Sequence, residues 1–212
     1  MKVIDRSNYG EDAVASWWME VEANWALAHD EQALEKLLDT ANEALEILAV
    51  HGIFEPARVE GDRWVDHAMR PPQPTVHPLS VALGSGDWRS WREKVRKEME
   101  LELGKPFRFP AKLLILGHTD IKLPDGSIQR LENAVWLELQ ATDVAVLNLN
   151  TDCDAWLPLG IEGEKQEELA TLNAPRLEAA LQAIRSQLHP EIITENSPYA
   201  VVNETSMENY PD

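Results

Sequence analysis

The chain of 212 residues has a single cysteine, Cys153, and therefore cannot close an internal disulfide. Its N-terminal segment, MKVIDRSNYGEDAV, lacks the apolar run of a secretory signal. No stretch reaches the roughly 18 uninterrupted apolar residues of a membrane-spanning helix, because Glu, Asp or Asn interrupts the richest segments. From these absences we expect a cytoplasmic protein that does not cross a membrane.

Basic residues are also scarce, since 19 Lys and Arg stand against 37 Asp and Glu, for a net charge of −18. The imbalance is uneven, with acidic flanks on both sides of a slightly basic region at residues 61–110. Such a charge repels nucleic acid, nucleotides and anionic lipid, and it attracts cationic partners. We therefore expect a basic protein partner and no direct nucleic-acid binding. Acidity that serves solubility alone is the alternative.

Common catalytic and cofactor motifs are missing as well. There is no G-x-S-x-G motif, no H-E-x-x-H motif and no Cys/His cluster. Gly84-Ser-Gly-Asp87 does not qualify as a phosphate-binding loop, because no Gly-Lys-Ser/Thr follows and Asp87 would occupy the free amides itself. We expect no cofactor.

Apolar residues make up 44% of the chain and include eight tryptophans, which is enough to build a sizeable core. The length favours one α+β domain over residues 1–190, with a possible helical subdomain at 1–70 and a Pro-rich crossover at 70–86. The acidic C-terminal segment, 191–212, is expected to be partly flexible and to fray from Glu204 onward.

Three helices are predicted from apolar residues at steps of three and four. The first runs from Asp30 to His51 and stops at Gly52, and the second follows Asp87 and ends near Gly104. The last begins around Asn173. Their apolar stripes are, in order, Leu34, Leu38, Ala41, Leu45 and Leu48; Trp88, Trp91, Val95 and Met99; and Leu177, Leu181, Ile184 and Leu188.

Residues 11–28 fit two patterns. Val14, Trp17, Trp18, Val21 and Trp25 share a helical face, whereas alternate residues from Trp17 to Leu27 fit a strand. The abundance of Ala and Glu favours the helix, and hence a mainly helical N-terminal part. In either structure Trp17 and the adjacent Trp18 diverge, which places at least one of them near the surface.

From Lys112 onward the pattern changes to short apolar runs separated by turns. The runs are Lys112–Leu116, Val135–Leu139 and the segment from Val144, with turns at Pro124-Asp125-Gly126 and near Thr142. The predicted fold is α+β, with an antiparallel β-meander of about four strands packed against amphipathic helices.

The segment from Val144 to Trp156 would separate, as a strand, into two faces. Ala145, Leu147, Leu149, Thr151, Cys153 and Ala155 would point inward, and Cys153 reads as a buried structural thiol because its aspartate neighbours disfavour a thiolate. The opposite face would carry a polar row that could accept Arg and Lys from a partner: Asn148, Asn150, Asp152, Asp154 and Trp156. A solvated face, or a turn around Asp152, is the alternative.

His118 and Asp120 follow an apolar strand and could join Asp152 and Asp154 in a metal cluster if the strands pair suitably. The spacing of these four residues is not diagnostic, and we expect no metal site.

The second helix carries the basic residues Arg89, Arg92, Lys94, Arg96 and Lys97 beside two tryptophans. Acidic residues four positions on, in Arg89–Glu93, Lys94–Glu98 and Arg96–Glu100, predict a face that compensates its own charge. Otherwise this patch could dock on an acidic surface of a partner or of a second copy, which would make a homo-oligomer.

Taken together, these features favour an acidic cytoplasmic binding protein. The hypothesis is an inhibitor or immunity-type protein that neutralises a basic protein partner such as a toxin nuclease. One alternative is a metal- or carboxylate-dependent enzyme that uses Asp120, Asp152 and Asp154 with His118. The other is an assembly or adaptor subunit that associates through the basic helix.

Overall fold

The computed structural model describes residues 13–21, 31–61, 79–83, 88–103, 112–141 and 145–211. These residues form an α+β fold. The helices are α1 (Glu31–Val50), α2 (Trp91–Leu103, preceded by the 3-10 turn Trp88–Ser90) and α3 (Glu167–Leu188). The strands are β1 (Ala15–Val21), β2 (Glu55–Gly61), β3 (Leu79–Ala82), β4 (Lys112–Lys122), β5 (Ile128–Ala141), β6 (Ala145–Thr151), β7 (Glu191–Thr194), β8 (Val201–Asn203) and β9 (Ser206–Glu208).

Seven strands form one sheet in the order β3-β2-β4-β5-β6-β1-β7, and every neighbouring pair is antiparallel. The meander expected from Lys112 onward is confirmed as β4-β5-β6. The sheet is larger than predicted, because strands from the N-terminal part pair with both edges of the meander. β8 and β9 form a separate two-stranded hairpin.

Strand register gives the sheet a core face and an opposite face. Cross-strand neighbours such as Trp17, Leu149, Leu137 and Ile115 lie in one row and are at most 1% exposed. They form one hydrophobic cluster with the buried side chains of the three helices. Polar and aromatic residues of the same strands lie on the opposite face.

The predicted first helix is confirmed as α1. Gly52 follows it with a φ of 64°, a conformation that glycine adopts without a steric penalty. Arg176 of α3 donates hydrogen bonds to the carbonyl oxygens of His51 (3.3 Å) and Gly52. A cation at this position also complements the negative end of the α1 dipole.

The preference for a helix around residues 14–25 is wrong, since Ala15–Val21 is strand β1. β1 lies between β6 and β7, so both of its edges are hydrogen-bonded. Trp17 is fully buried and Trp18 is 38% exposed, which confirms that the adjacent tryptophans diverge. Pairing on both edges outweighs the weak helical propensity of Ala and Glu. The described residues therefore do not confirm a mainly helical N-terminal part.

α3 begins six residues earlier than predicted, at Glu167. Asn173, the predicted start, is fully buried in the helix. Its side chain accepts a hydrogen bond from Lys122 N (3.0 Å) and donates one to Lys122 O (2.9 Å), and it thereby pairs with the end of β4. Because Asn173 is a polar residue at a core position, it interrupts the apolar pattern from which the start of the helix is predicted. Pro175 is exposed inside the helix rather than in its first turn.

The acidic C-terminal segment, which was expected to fray from Glu204, is hydrogen-bonded to the rest of the fold. Strand β9 pairs with β8, and Met207 is 6% exposed. Asn209 exchanges two hydrogen bonds of 2.8 Å with the backbone of Leu159. Trp17 Nε1 donates to Asn203 O at 2.8 Å, which ties β1 to the hairpin.

Several predictions concern residues outside the described ranges. These are the caps at Asp30 and Asp87, most of the Pro-rich crossover at 70–86, and the turn near Thr142. Among the described helices, none is long and apolar enough to cross a membrane.

Candidate functional site

The polar row predicted from Asn148 to Trp156 divides at the end of β6. Asn148 and Asn150 lie on the face of the sheet opposite the core, as the alternation predicts, but each is only 5% exposed. Ser16 Oγ donates to Asn150 Oδ1 at 2.6 Å from the neighbouring strand. Because these amides are covered, a partner could not contact them without local rearrangement.

After Thr151 the chain turns, and the alternation ends. Thr151 Oγ1 donates to Ala134 O and accepts hydrogen bonds from Cys153 N and Trp156 Nε1, at 3.0 to 3.1 Å. Trp156 therefore lies on the Thr151 side of the chain, not in the row with Asn148. Cys153 is buried, as predicted for a structural thiol.

The two aspartates of the row are also buried. Asp152 is 9% exposed, and its backbone N–H donates to Ala134 O at 2.9 Å. Asp154 is fully buried, and its Oδ2 accepts a hydrogen bond of 3.1 Å from Ile161 N. Burial raises the pKa of Asp154, and the charge of nearby Glu164 adds to the rise, while the bond from Ile161 opposes it. The expected open acidic surface is not formed here.

His118 and Asp120 lie elsewhere, beside a pocket of about 240 Å³ at one end of β4. Arg130 of β5 donates to both oxygens of Asp120 (2.8 and 3.3 Å) and to Glu55 of β2 (2.7 Å). His118 Nδ1 is buried without a hydrogen-bond partner. The pocket is lined by Ala49, Gly52, Phe54, Glu55, Trp88, His118, Asp120 and Arg130.

Register shifts in the sheet shape this pocket. β4 shifts against β5 between Leu116 and His118, and β2 shifts against β4 between Pro56 and Arg58. Opposite the first shift, Asn133 has a φ of 55°. Bulges of this kind re-aim side chains, and they are frequent beside functional sites.

Gly117 lies at the first of these shifts, and replacing it by alanine is expected to lower the free energy of unfolding by about 2 kcal/mol. An added Cβ would lie 2.2 Å from Glu55 O and 2.9 Å from a ring carbon of Phe54, so that β2 must move. Gly126→Ala measures backbone strain alone, because a Cβ there meets no atom within 4 Å but its φ of 84° costs an alanine about 1 to 2 kcal/mol. Urea denaturation measures both variants, and a loss below about 0.5 kcal/mol for Gly117→Ala would contradict a tight contact at Gly117.

The basic residues of α2 bind acidic residues of α1 within the same chain. Arg96 forms a bidentate pair with Glu35, Arg92 pairs with Asp39, and Trp91 Nε1 donates to Asn42 Oδ1 at 3.1 Å. The two helices therefore run antiparallel. One of the three pairs predicted within the helix involves Arg96, which the structure pairs with Glu35 of α1. Arg92 and Arg96 thus compensate carboxylates of α1.

An acidic groove of about 290 Å³ opens between α1 and α3. Glu43 and Glu46 are exposed on its α1 side, and Val50 has 84% of its surface exposed. The last turn of α1 contains no basic residue. The lining residues are Glu43, Glu46, Ile47, Val50, His51, Ala183 and Gln187.

The four candidate metal ligands are not brought together. His118 and Asp120 line the pocket at β4, whereas Asp152 and Asp154 lie in the turn after β6. Within the ranges that the structure describes, no group of three or more His, Cys, Asp or Glu is arranged to hold a metal ion.

No pattern in the sequence predicts several residues that line or form these sites: Glu43, Glu46, Glu55, Arg130, Glu164 and Gln166. Glu55 of β2 and Arg130 of β5 acquire their role from a contact between strands that are distant in the sequence. The one local signal is the pair Gly160 and Gly163, which marks a tight turn next to Glu164.

Comparisons with models of protein families, with curated proteins and with solved structures find no match for this chain.

Proposed function

We propose that this chain is an acidic binding protein of the inhibitor or immunity type, and that it neutralises a basic protein partner such as a toxin nuclease. The observation that carries the proposal is the distribution of charge after folding. The described arginines contact groups of the same chain, and carboxylates such as those of Glu43 and Glu46 are exposed.

Every arginine that the structure describes has a contact within the chain. Five of them pair with carboxylates: Arg58, Arg92, Arg96, Arg130 and Arg185. Arg176 binds backbone carbonyls, and Arg89 lies 5.3 Å from the ring centre of Trp88. Exposed lysines such as Lys97, Lys122 and Lys165 offset only part of the acidic excess, because the net charge of the whole chain is −18. Such a net charge favours a cationic partner.

Within this proposal the contact surface is the α1–α3 groove, not the buried row from Asn148 to Trp156. Glu43 and Glu46 offer carboxylates to Lys or Arg of a partner. Val50 offers apolar area beside them, and an apolar anchor flanked by charges is typical of a protein interface.

Reversing the groove charges with Glu43→Lys and Glu46→Lys together is expected to weaken partner binding at least about tenfold. The tagged protein would first capture its partner from host lysate at about 50 mM salt and release it at about 500 mM, since salt screens charge-driven contacts. Affinity for the identified partner is then measured for both variants by calorimetry.

The matched control is Glu191→Lys with Glu195→Lys, which changes the net charge equally at exposed positions of the β7 region. It should bind with nearly the affinity of the wild type. Equal weakening by both double variants would show that net charge matters and that the groove does not. Capture of no basic protein at either salt would contradict the binding function itself.

A second candidate function, an enzyme, is favoured by the unpartnered Nδ1 of His118 in the β4 pocket. A histidine in a pocket can act as an acid or a base. Asp120 is already paired with Arg130, and neither Asp152 nor Asp154 lines this pocket. The carboxylate set that the enzyme hypothesis required is therefore not assembled, and we rank binding first.

A further inference from the structure

Three acceptor oxygens in the segment from Asp154 to Gln166 are buried without a hydrogen-bond donor. They are Asp154 Oδ1, Glu164 Oε2 and Gln166 Oε1. The side chains of Asp154 and Gln166 belong to residues that are 0% and 3% exposed. A buried acceptor without a partner is costly, so three of them in one segment of 13 residues need an explanation.

Contacts place Gln166 directly beside Asp154. Gln166 Nε2 donates to the carbonyl oxygens of Asp154 (2.7 Å) and Leu157 (3.1 Å). Because Nε2 has two acceptors, the orientation of the amide is determined, and the unpartnered atom is the oxygen. Oε1 is bonded to the same amide carbon, and the Gln166 side chain also lies near the Asp154 carboxyl, whose pKa it lowers against the larger effect of burial.

Glu164 and Asp154 approach the same short stretch of backbone. A Cβ on Gly160 would lie only 2.3 Å from Glu164 Oε1, so the Glu164 carboxylate rests against Gly160. The next residue, Ile161, donates its N–H to Asp154 Oδ2. The negative charge of Glu164 contributes to the raised pKa of Asp154, yet no hydrogen bond joins the described carboxyl groups of these two residues.

The segment that carries these groups is held in place at several points. Gly160 N donates to Glu164 O at 2.8 Å, and Gln166 N donates to Pro158 O at 2.8 Å. Asn209 binds the backbone of Leu159 through two hydrogen bonds. The acceptor oxygens are thus arranged before any ligand arrives, which lowers the entropic cost of binding.

We propose that Asp154 Oδ1, Glu164 Oε2 and Gln166 Oε1 bind a hard divalent cation, Ca²⁺. Carboxylate and amide oxygens are the ligands that Ca²⁺ takes in proteins, and water completes its shell of six to eight. Two carboxylates would balance the charge of the ion. Glu164 is only partly buried and leaves a route from solvent. This site shares Asp154 with the earlier metal hypothesis, but not His118, Asp120 or Asp152.

The first test is thermal unfolding of the full chain after treatment with a chelator, followed by addition of Ca²⁺ or Mg²⁺. Ca²⁺ at about 100 times its Kd is expected to raise Tm by about 5 °C or more, because a ligand that binds only the folded state stabilises it. Mg²⁺ should raise Tm less, since it demands a tighter octahedral shell. No shift with Ca²⁺ would overturn the proposal.

Variants locate the site. Glu164→Gln keeps the size of the side chain and removes its charge, and it should weaken Ca²⁺ affinity at least tenfold in calorimetry. Glu162→Gln changes an exposed residue of the same turn, and its affinity should equal that of the wild type. Equal affinities in the two variants would place any bound Ca²⁺ elsewhere and overturn the assignment.

A proton shared by Asp154 and Glu164, or a buried water, could also satisfy some of these oxygens. A shared proton would make the protein more stable on lowering the pH to about 5, with no response to Ca²⁺, and that result contradicts the proposal. A water alone would give neither response and contradicts it equally. The measurements of Tm and of Ca²⁺ affinity require no protein partner, so their outcome is independent of the test of the α1–α3 groove.

Discussion

Arg176→Met is expected to lower the free energy of unfolding by about 3 kcal/mol. The Arg176 guanidinium donates to Asp120 O (2.9 Å), Asn173 Oδ1 (2.9 Å), His51 O (3.3 Å) and Gly52 O. It thus joins the end of α1, strand β4 and helix α3. Methionine keeps much of the aliphatic volume and removes all five N–H donors, so these acceptors lose their partner.

Burial lowers the pKa of Arg176, and the charge of Asp120 partly offsets this, so the guanidinium stays protonated at neutral pH. Urea denaturation of Arg176→Met is compared with Arg185→Met on the same helix. Arg185 pairs with Glu204 at the surface, and the two side chains are 58% and 51% exposed. Removing such a pair costs about 0 to 1 kcal/mol. Similar losses in the two variants would show that the Arg176 contacts add little.

Thr151→Val should cost about 3 kcal/mol, although the two side chains have nearly the same shape. The hydroxyl is the common partner of Ala134 O, Cys153 N and Trp156 Nε1. Valine would leave the two buried donors, Cys153 N and Trp156 Nε1, without this acceptor, whereas Ala134 O keeps its hydrogen bond from Asp152 N. Each orphaned donor costs about 1 to 3 kcal/mol. Denaturation gives the loss in stability, and tryptophan fluorescence reports whether Trp156 stays buried.

Thr171→Val is the matched control. The Thr171 hydroxyl is exposed and binds only Glu167 O, one turn earlier in α3. Threonine and valine have similar helix propensities, so a change below about 0.5 kcal/mol is expected. If Thr151→Val lowered the free energy of unfolding equally little, water would be replacing the lost hydroxyl. The turn after β6 would then be accessible to water despite its burial.

Local patterns predicted the elements whose neighbours in the sequence decide their structure. The heptad from Leu34 to Leu48 is enough to predict α1, since its apolar stripe has the period of a helix whatever covers it. The meander was predicted for a related reason, because β4, β5 and β6 follow one another and pair in sequence order.

Two errors share one cause, which is that contacts between distant segments override local preference. β1 has a composition that suits a helix, yet it gains hydrogen bonds on both edges from β6 and β7. Asn173 resembles a helix boundary in the sequence. In the structure, however, its side-chain amide forms hydrogen bonds with both the N–H and the carbonyl oxygen of Lys122, as the backbone of a neighbouring strand would. Neither partner can be identified from the segment itself.

The candidate sites show the same difference between what local patterns predict and what contacts between distant segments decide. Alternation placed Asn148 and Asn150 on the face opposite the core, and the structure agrees. Their burial depends on neighbouring strands, and the turn that removes Asp154 from the row depends on Thr151. Periodicity gives the direction of a side chain but not what covers it.

The sequence by itself determined the charge of the protein, the material for its core, the α+β class, and most of the helices and meander strands. These follow from composition and from periods of 2 and 3.6 residues, which are properties of short segments. The tertiary structure alone decided that the arginines of α2 compensate α1, and that the acidic row is buried. It also brought Asp154 and Glu164 close together, because charge and burial depend on distances that only folding sets.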